Sequence, residues 1–392
     1  MKYNEISDFI DCLSCPNNFR LSKRDFLKYS LVGLSAMTGL LRLKAFASGD
    51  SGLWKWSKEA YHYTSMSNKT VKCLNCPNTC VLPEGGRSRC RNKVNKGGKL
   101  YTLAYGNPCT ANIDPVEKKP LFHFLPNARA YSIAAAGCNL RCLYCQNWEI
   151  SQVQPEDTKN FDMFPAQVVE NCLDNKCECI AYTYSEPNTF YEYMYDIAKL
   201  ARKKGIKNLI VSNGYINEKP LLELCEYIDA ATITLKNFKE SIYNELNGAS
   251  LQPVLNSLKT YRKKNVWLEI VNLVVPNWTD DMNMIKSMCE WLVKNDLSSC
   301  PLQFLRFFPL YKLTQLPPTP ISTLEKAREI ALKAGMKYVY IGNVPGNPAE
   351  NTYCPKCKKL IIERRGIYLL NNYVTKSRCK FCGEKIDGVW NN

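Results

Sequence analysis

Histidine is nearly missing from this chain: 392 residues contain only His62 and His123. Histidine acid–base catalysis is therefore poorly provided for. Long hydrophobic runs are missing too. The charge-free run from Tyr29 to Leu41 has thirteen residues, too few to span a bilayer. The formal charge is +16, yet no Lys/Arg block exceeds two or three residues and basic residues alternate with acidic ones along the helical segments. Such a surface is solvated with a modest preference for anions, and a nucleic-acid tract is not indicated. Internal repeats and low-complexity tracts are absent as well.

Cysteine, by contrast, is abundant. Twenty cysteines exceed what packing needs, and they fall in pairs and triplets along a long chain, so metal ligation outranks a disulfide framework. With 45% apolar residues the chain can bury a sizeable core, and its length suits one large domain with smaller attachments.

Four segments are expected. Residues 1–50 form a leader: "SKRDFLKYSLVGLSAM" resembles a twin-arginine (Tat) signal with Lys23 in the first arginine position, and "AFAS" follows as a small-residue cleavage pattern. The alternative is an N-terminal tether. Cys12 and Cys15 within it stay unassigned. Residues 66–129 form a four-cysteine module, in which Cys73, Cys76, Cys80 and Cys90 stand at intervals of two, three and nine residues. Pro77, Pro83 and Gly85-Gly86 supply turns, and the four soft ligands suit zinc or a second cluster.

Residues 130–345 alternate strand-like runs, from "YSIAAAG" to "KYVYIGN", with amphipathic segments such as "FYEYMYDIAKLARKKG" that close on a glycine. The fold class is α/β, a parallel sheet in a partial (β/α) barrel with functional residues at the C-terminal strand ends. Residues 346–392 form a tail in which Cys354, Cys357, Cys379 and Cys382 make two CxxC knuckles separated by 21 residues, close to a zinc ribbon.

The stretch "AGCNLRCLYCQNWEIS" follows the first of these strands and carries Cys138, Cys142 and Cys145. Three thiolates on a [4Fe-4S] cubane leave one iron free for a substrate. This C-x3-C-x2-C spacing, with Tyr144 before the last cysteine, resembles the radical SAM superfamily, in which the open iron binds S-adenosylmethionine. The resemblance implies reductive cleavage of SAM and hydrogen abstraction, with a ferredoxin or flavodoxin as electron donor. It implies that Glu186 in "YTYSEPN" accepts the SAM amine and that Ser212 and Asn213 in "VSNG" contact the ribose or carboxylate. Helix capping by Glu186 and turn formation by the other two are the ordinary alternatives.

From about Val71 to Trp390 the chain further resembles the AmmeMemoRadiSam proteins, relatives of pyruvate formate-lyase activating enzymes, through "CLNCPNTC", "DPVEKKPLFHFLP", "GCNLRCLYCQNWEIS", "RFFPLYKL" and "YVYIGNVPGN". That implies an activating-enzyme-like oxidoreductase with an unidentified substrate, either making a glycyl radical on a partner protein or modifying a small molecule or polypeptide directly, with Memo-like or AMMECR-like proteins as partners. Two departures stand out. Thr234-Leu235-Lys236 replaces an expected D-L-K, removing a carboxylate near the SAM site, and Gln303 and Leu305 replace His and Ser, which reads as an altered substrate pocket. Arg306 is a candidate for an anionic substrate or the SAM carboxylate; His123 reads as a packed, hydrogen-bonded residue. Because SAM is made in the cytosol, a cytoplasmic location is expected, with membrane association through the leader. The competing reading is a non-catalytic Fe-S/zinc electron-transfer or binding scaffold.

Overall fold

Seven strand-like runs between Arg129 and Gly342 form strands, and the amphipathic segments between them form helices, in a computed structural model that describes residues 54–390. The leader, with Cys12 and Cys15, lies outside the described residues. An eighth strand precedes the seven. In chain order the strands are β1 (Thr110–Pro115), β2 (Arg129–Ala134), β3 (Cys179–Tyr182), β4 (Lys207–Ser212), β5 (Ala230–Thr234), β6 (Trp267–Val274), β7 (Leu302–Arg306) and β8 (Val339–Gly342). Their order in the sheet follows the chain. β1 is antiparallel to β2, and all other pairs are parallel. Parallel neighbours require long crossovers. Those crossovers carry α1 (Pro165–Asp174), α2 (Tyr191–Lys203), α3 (Glu218–Leu224), α4 (Leu251–Lys263), α5 (Met282–Lys294) and α6 (Ile321–Ala334).

Helix ends follow local chemistry. The Asp281 carboxylate accepts the Asn283 N–H at 2.8 Å and starts α5. Gly335, at φ 106°, ends α6 in the left-handed region. β3 is buried along its whole length, as expected for a strand covered on both faces. The result is an α/β fold with a partial barrel-like sheet.

The floor of this barrel is closed by the chain itself. Residues 117–125 cross the N-terminal strand ends: the Thr232 hydroxyl donates to the Lys119 carbonyl at 2.6 Å and the Gln303 amide to the Pro120 carbonyl at 3.0 Å. The Glu269 carboxylate accepts the N–H groups of Phe122 and His123 at 2.9 and 2.7 Å. Gln303 is thus a strut of the floor. Burial pushes the Glu269 carboxyl up to about 7, against the pull of those N–H donors. His123 is fully buried with its ring nitrogens 2.6 Å from the Asp387 carbonyl and 2.5 Å from the Tyr340 hydroxyl, the hydrogen-bonded role expected of it.

Two small modules pack on this frame. The tail forms an antiparallel sheet of Thr352–Tyr353, Leu360–Arg365 and Tyr368–Asn372, and its Cys354, Ile361, Ile362 and Cys379 share a core with Phe122, Tyr338 and Tyr340. Toward the N-terminus two three-stranded sheets surround a core of Ala60, Val71, Cys73, Leu82 and Leu100. Lys93 anchors them to α2, its ammonium bonded to both Glu192 oxygens at 2.6 and 2.7 Å. Among the described residues no helix is long and apolar enough to cross a membrane.

Candidate metal centre at the strand ends

β2 delivers its chain directly into the loop of Cys138, Cys142 and Cys145 at the C-terminal edge of the sheet. The loop is tied down from several sides. Arg141 and Leu143 donate backbone N–H groups to the carbonyls of Asn247 and Leu246 at 2.8 and 3.0 Å, Lys312 N–H bonds the Leu143 carbonyl at 3.0 Å, and Gly137 N–H bonds Ile150. The partner segment Tyr243–Asn247 is a turn of π-helix, a geometry that recurs at functional sites.

Donors point at the sulfurs. Leu140 N–H lies 3.4 Å from Cys138 Sγ, and the Asn247 amide reaches Cys142 Sγ at 3.2 Å and the Tyr144 hydroxyl at 2.9 Å. Burial, then the charges of Glu186 and Cys142, pushes the Cys138 thiol well above its usual range. Burial and Cys142 push Cys145 up to about 11. Without a metal these thiols stay protonated; a metal that binds them must displace the protons.

Glu186 sits beside this loop, 3% exposed. Its Oε1 accepts the Ser212 hydroxyl at 2.7 Å and the Asn188 N–H at 3.1 Å, and its Oε2 accepts the Asn213 N–H at 2.9 Å. The bond to Asn188 also caps the 3-10 helix Pro187–Phe190, so the capping role holds alongside any other. Burial raises its pKa; the three donors and the charge of Lys236 oppose the rise. The Asn213 amide continues the network to Asn139 Oδ1 at 2.8 Å. Cys138, Glu186, Ser212 and Asn213 therefore form one connected group, and Tyr144 joins Cys142 through Asn247.

Arg306 is not drawn into that group. It lies three strands beyond β4, its Nε donates to the Thr319 carbonyl at 2.9 Å, and its guanidinium lies 5.2 Å from the Phe308 ring. Asn139, Asn188, Lys236 and Asn247 join the site instead. Lys236 Nζ lies 5.9 Å from the Tyr144 ring centre, and its charge favours the ionised forms of both Cys145 and Glu186. Lys236 had a signal, since it lies two residues past the end of β5, at the edge where functional residues gather. Asn247 had none beyond an ordinary Asn-Gly turn.

The other two cysteine sets differ from each other. Cys354 and Cys382 sulfurs lie 3.6 Å apart and those of Cys357 and Cys379 lie 3.8 Å apart. The ligand atoms of these four cysteines all lie within 4.8 Å of one another. Cys73, Cys76, Cys80 and Cys90 instead line a shared cavity.

A radical SAM superfamily model matches residues 132–289. An uncharacterized protein of Methanocaldococcus jannaschii is 45% identical over 335 residues, covering 85% of this chain and 99% of its own. The pyruvate formate-lyase 1-activating enzyme of Escherichia coli is 25% identical over 224 residues, 52% of this chain and 89% of that enzyme. The crystal structure of Streptococcus suis SuiB is similar with a TM-score of 0.43 at 14% identity, over 58% of this chain and 52% of that one.

Proposed function

This chain belongs to the radical SAM superfamily and is a radical SAM enzyme; from that premise we propose that Cys138, Cys142 and Cys145 hold its [4Fe-4S] cluster and that it acts on a protein. The donor set fits the cluster: three soft thiols on one anchored loop, with N–H donors directed at two of the sulfurs, leave one iron for SAM. When bound, the cluster supplies the electron for reductive SAM cleavage, the superfamily's route to hydrogen abstraction. The rest is the work of the chain.

Glu186, buried and held by three donors, offers a fixed carboxylate to the SAM ammonium, whose charge would compensate its desolvation. Ser212 and Asn213 already hold Glu186, so we assign them to positioning it. Lys236 is better placed than Arg306 to meet the SAM carboxylate, because its charge already bears on Cys145 and Glu186.

A protein substrate is supported by the activating-enzyme relative and by the apolar rim of the mouth. Trp148, Leu310 and Phe308 are 39%, 40% and 41% exposed, with Trp148 stacked on Tyr311 at 5.5 Å. Its motifs favour the AmmeMemoRadiSam type, making Memo-like and AMMECR-like proteins the first partners to try. In the tail we assign zinc to Cys354, Cys357, Cys379 and Cys382, whose sulfur spacing suits a tetrahedral ion.

The observation that carries the reading is the anchored three-thiol loop abutting Glu186 at the strand ends. Anaerobically reconstituted protein, given SAM and dithionite, is expected to release 5′-deoxyadenosine, and Cys142→Ala to release at least about 100-fold less with unchanged circular dichroism. Wild-type output from Cys142→Ala would refute the assignment; a non-catalytic scaffold yields nothing from either. Deuterated cell extract, split by ultrafiltration, tests the substrate: label should reach 5′-deoxyadenosine from the retained macromolecules, and label from the filtrate alone would refute a protein substrate.

A further inference from the structure

The main sheet has two edges, and they are finished differently. At one edge β8 is buried at Val339, Tyr340 and Ile341, and Tyr340 shares a core with the tail. At the other edge β1 is bare: Asn112 and Ile113 are exposed, Ile113 by 39%. A partial barrel opens between its two edge strands, so β1 borders that opening.

Register fixes what β1 presents there. The Val116 N–H bonds the Ala128 carbonyl at 3.0 Å, and in step with it Asp114, Asn112 and Thr110 stand opposite Ala130, Ser132 and Ala134. In an antiparallel ladder such residues direct both main-chain groups at the partner strand, and the residues between them point theirs the other way. Ala111 and Ile113 therefore turn their N–H and C=O groups outward. β1 has no second neighbour in the sheet, and among the described residues no hydrogen bond reaches these four groups. A bare row of main-chain donors and acceptors is a template for another strand. Pro115, which has no N–H, ends it.

The inner face of β1 leads to the chemistry. Ala130 packs with the floor residues Leu121 and Phe124, so the face that it shares with Ser132, Asn112 and Asp114 is the inside of the barrel. There Asp114 accepts the Tyr184 hydroxyl, and the Asn112 amide lies 3.4 Å from that hydroxyl. The buried Lys119 ammonium, 2.6 Å from Asp114, lies 4.4 Å from the Tyr184 ring centre. At its other end Tyr184 accepts the Asn147 amide on its carbonyl at 2.7 Å, two residues beyond Cys145. One tyrosine thus joins the bare edge to the triplet loop.

We propose that an extended segment of the protein substrate binds as an added strand along β1, its main chain paired with Ala111 and Ile113. This rests on the reading of a protein substrate given above. Main-chain pairing supplies the affinity and alternate side chains the selectivity. One set of side chains enters the barrel beside Asn112 and Tyr184, and the other lies outside against Ile113, a place for an apolar residue.

Ile113→Pro tests the pairing, because it removes an outward N–H and leaves the ladder to β2 intact. The reconstituted full chain is given SAM, dithionite and the macromolecules of deuterated extract retained by ultrafiltration. In Ile113→Pro the labelled fraction of the 5′-deoxyadenosine is expected to fall at least about tenfold, the weight of one main-chain bond whose acceptor is left unpaired. Ile113→Lys keeps every main-chain group and sets a charge on the outer face, and it should lower the fraction several-fold with unchanged circular dichroism. A wild-type fraction in either variant overturns the proposal. Wild-type label drawn from the filtrate alone would overturn the reading of a protein substrate instead. Hydrogen exchange of the wild-type full chain is a second measurement, independent of turnover: the amides of Ala111 and Ile113 should exchange fast beside slow Asn112 and Asp114. Slow exchange at all four would mean that a second copy or residues outside 54–390 already cover the edge, and it overturns the proposal.

Discussion

Two four-cysteine modules sit at opposite ends of one barrel, and equal ligand counts conceal different construction. The tail brings two knuckles together across 21 residues, gathers its sulfurs tightly, and shares a core with the floor residues Phe122, Tyr338 and Tyr340. The N-terminal module takes its thiols from one winding segment, spreads them around a cavity, and backs onto the loop that carries Cys138. What each module leans on differs: one shares a core with the floor and the other backs onto the triplet loop.

Removing a tail ligand should produce the largest effect. Structural zinc supplies folding free energy on the order of 10 kcal/mol in small domains, and here the tail is continuous with the floor. Cys357→Ala is therefore expected to lose one zinc, keep its iron, and show a large fall in thermal midpoint for the whole chain. A midpoint like that of a surface substitution would mean the tail carries no such load.

A tighter probe lies at the seam between the N-terminal module and the triplet. Gly137 has φ 96°, and a Cβ there would stand 2.4 Å from Asn92 Oδ1 and 2.6 Å from the Cys90 carbonyl. Gly137→Ala combines left-handed strain with overpacking, roughly 4 kcal/mol together. It should lower the denaturant midpoint and deplete iron while zinc stays bound. Unchanged iron would show that the two thiol sets do not depend on each other.

The smallest expected effect belongs to Glu269 in the floor, and it depends on pH. A carboxyl raised by burial supports folding only while protonated. Its contribution is full below its unfolded value near 4.3 and is lost as pH rises through about 7. Relative to Glu269→Gln, wild type should lose roughly 3 kcal/mol between those limits, read from urea unfolding at a series of pH values. A constant difference would refute the raised pKa.

The seven parallel strands were legible because each is a near-continuous apolar run bounded by polar turns or glycine, a pattern local to the sequence. β1 was not. Its residues, "TANIDP", are mostly half or fully exposed, so its place comes from pairing with β2, which leaves little periodic trace. The triplet was readable as a spacing and Glu186 as a strand-end residue. The bond from Asn247 to Cys142 spans 105 positions and arises from a π-turn that nothing in "NELNG" announces. The partner of Gln303 was hidden for a similar reason: it is a backbone carbonyl 183 positions away, and backbone acceptors carry no residue signature. Arg306, at the end of β7, donates its Nε to the Thr319 carbonyl, another backbone partner that its sequence position does not announce.

The way the floor is locked has a temporal consequence. Val389 N–H bonds the His123 carbonyl at 2.8 Å, its own carbonyl accepts the Leu125 N–H at 2.7 Å, and Asp387 meets His123 across 264 positions. Synthesis runs from the N-terminus, so the thiols that face the chemistry leave the ribosome long before the segment that fastens the floor. Closing so long a loop is entropically costly and slow. The nascent chain thus passes through a stage in which Cys138, Cys142 and Cys145 are already made and the floor is not yet fastened by Asp387 and Val389.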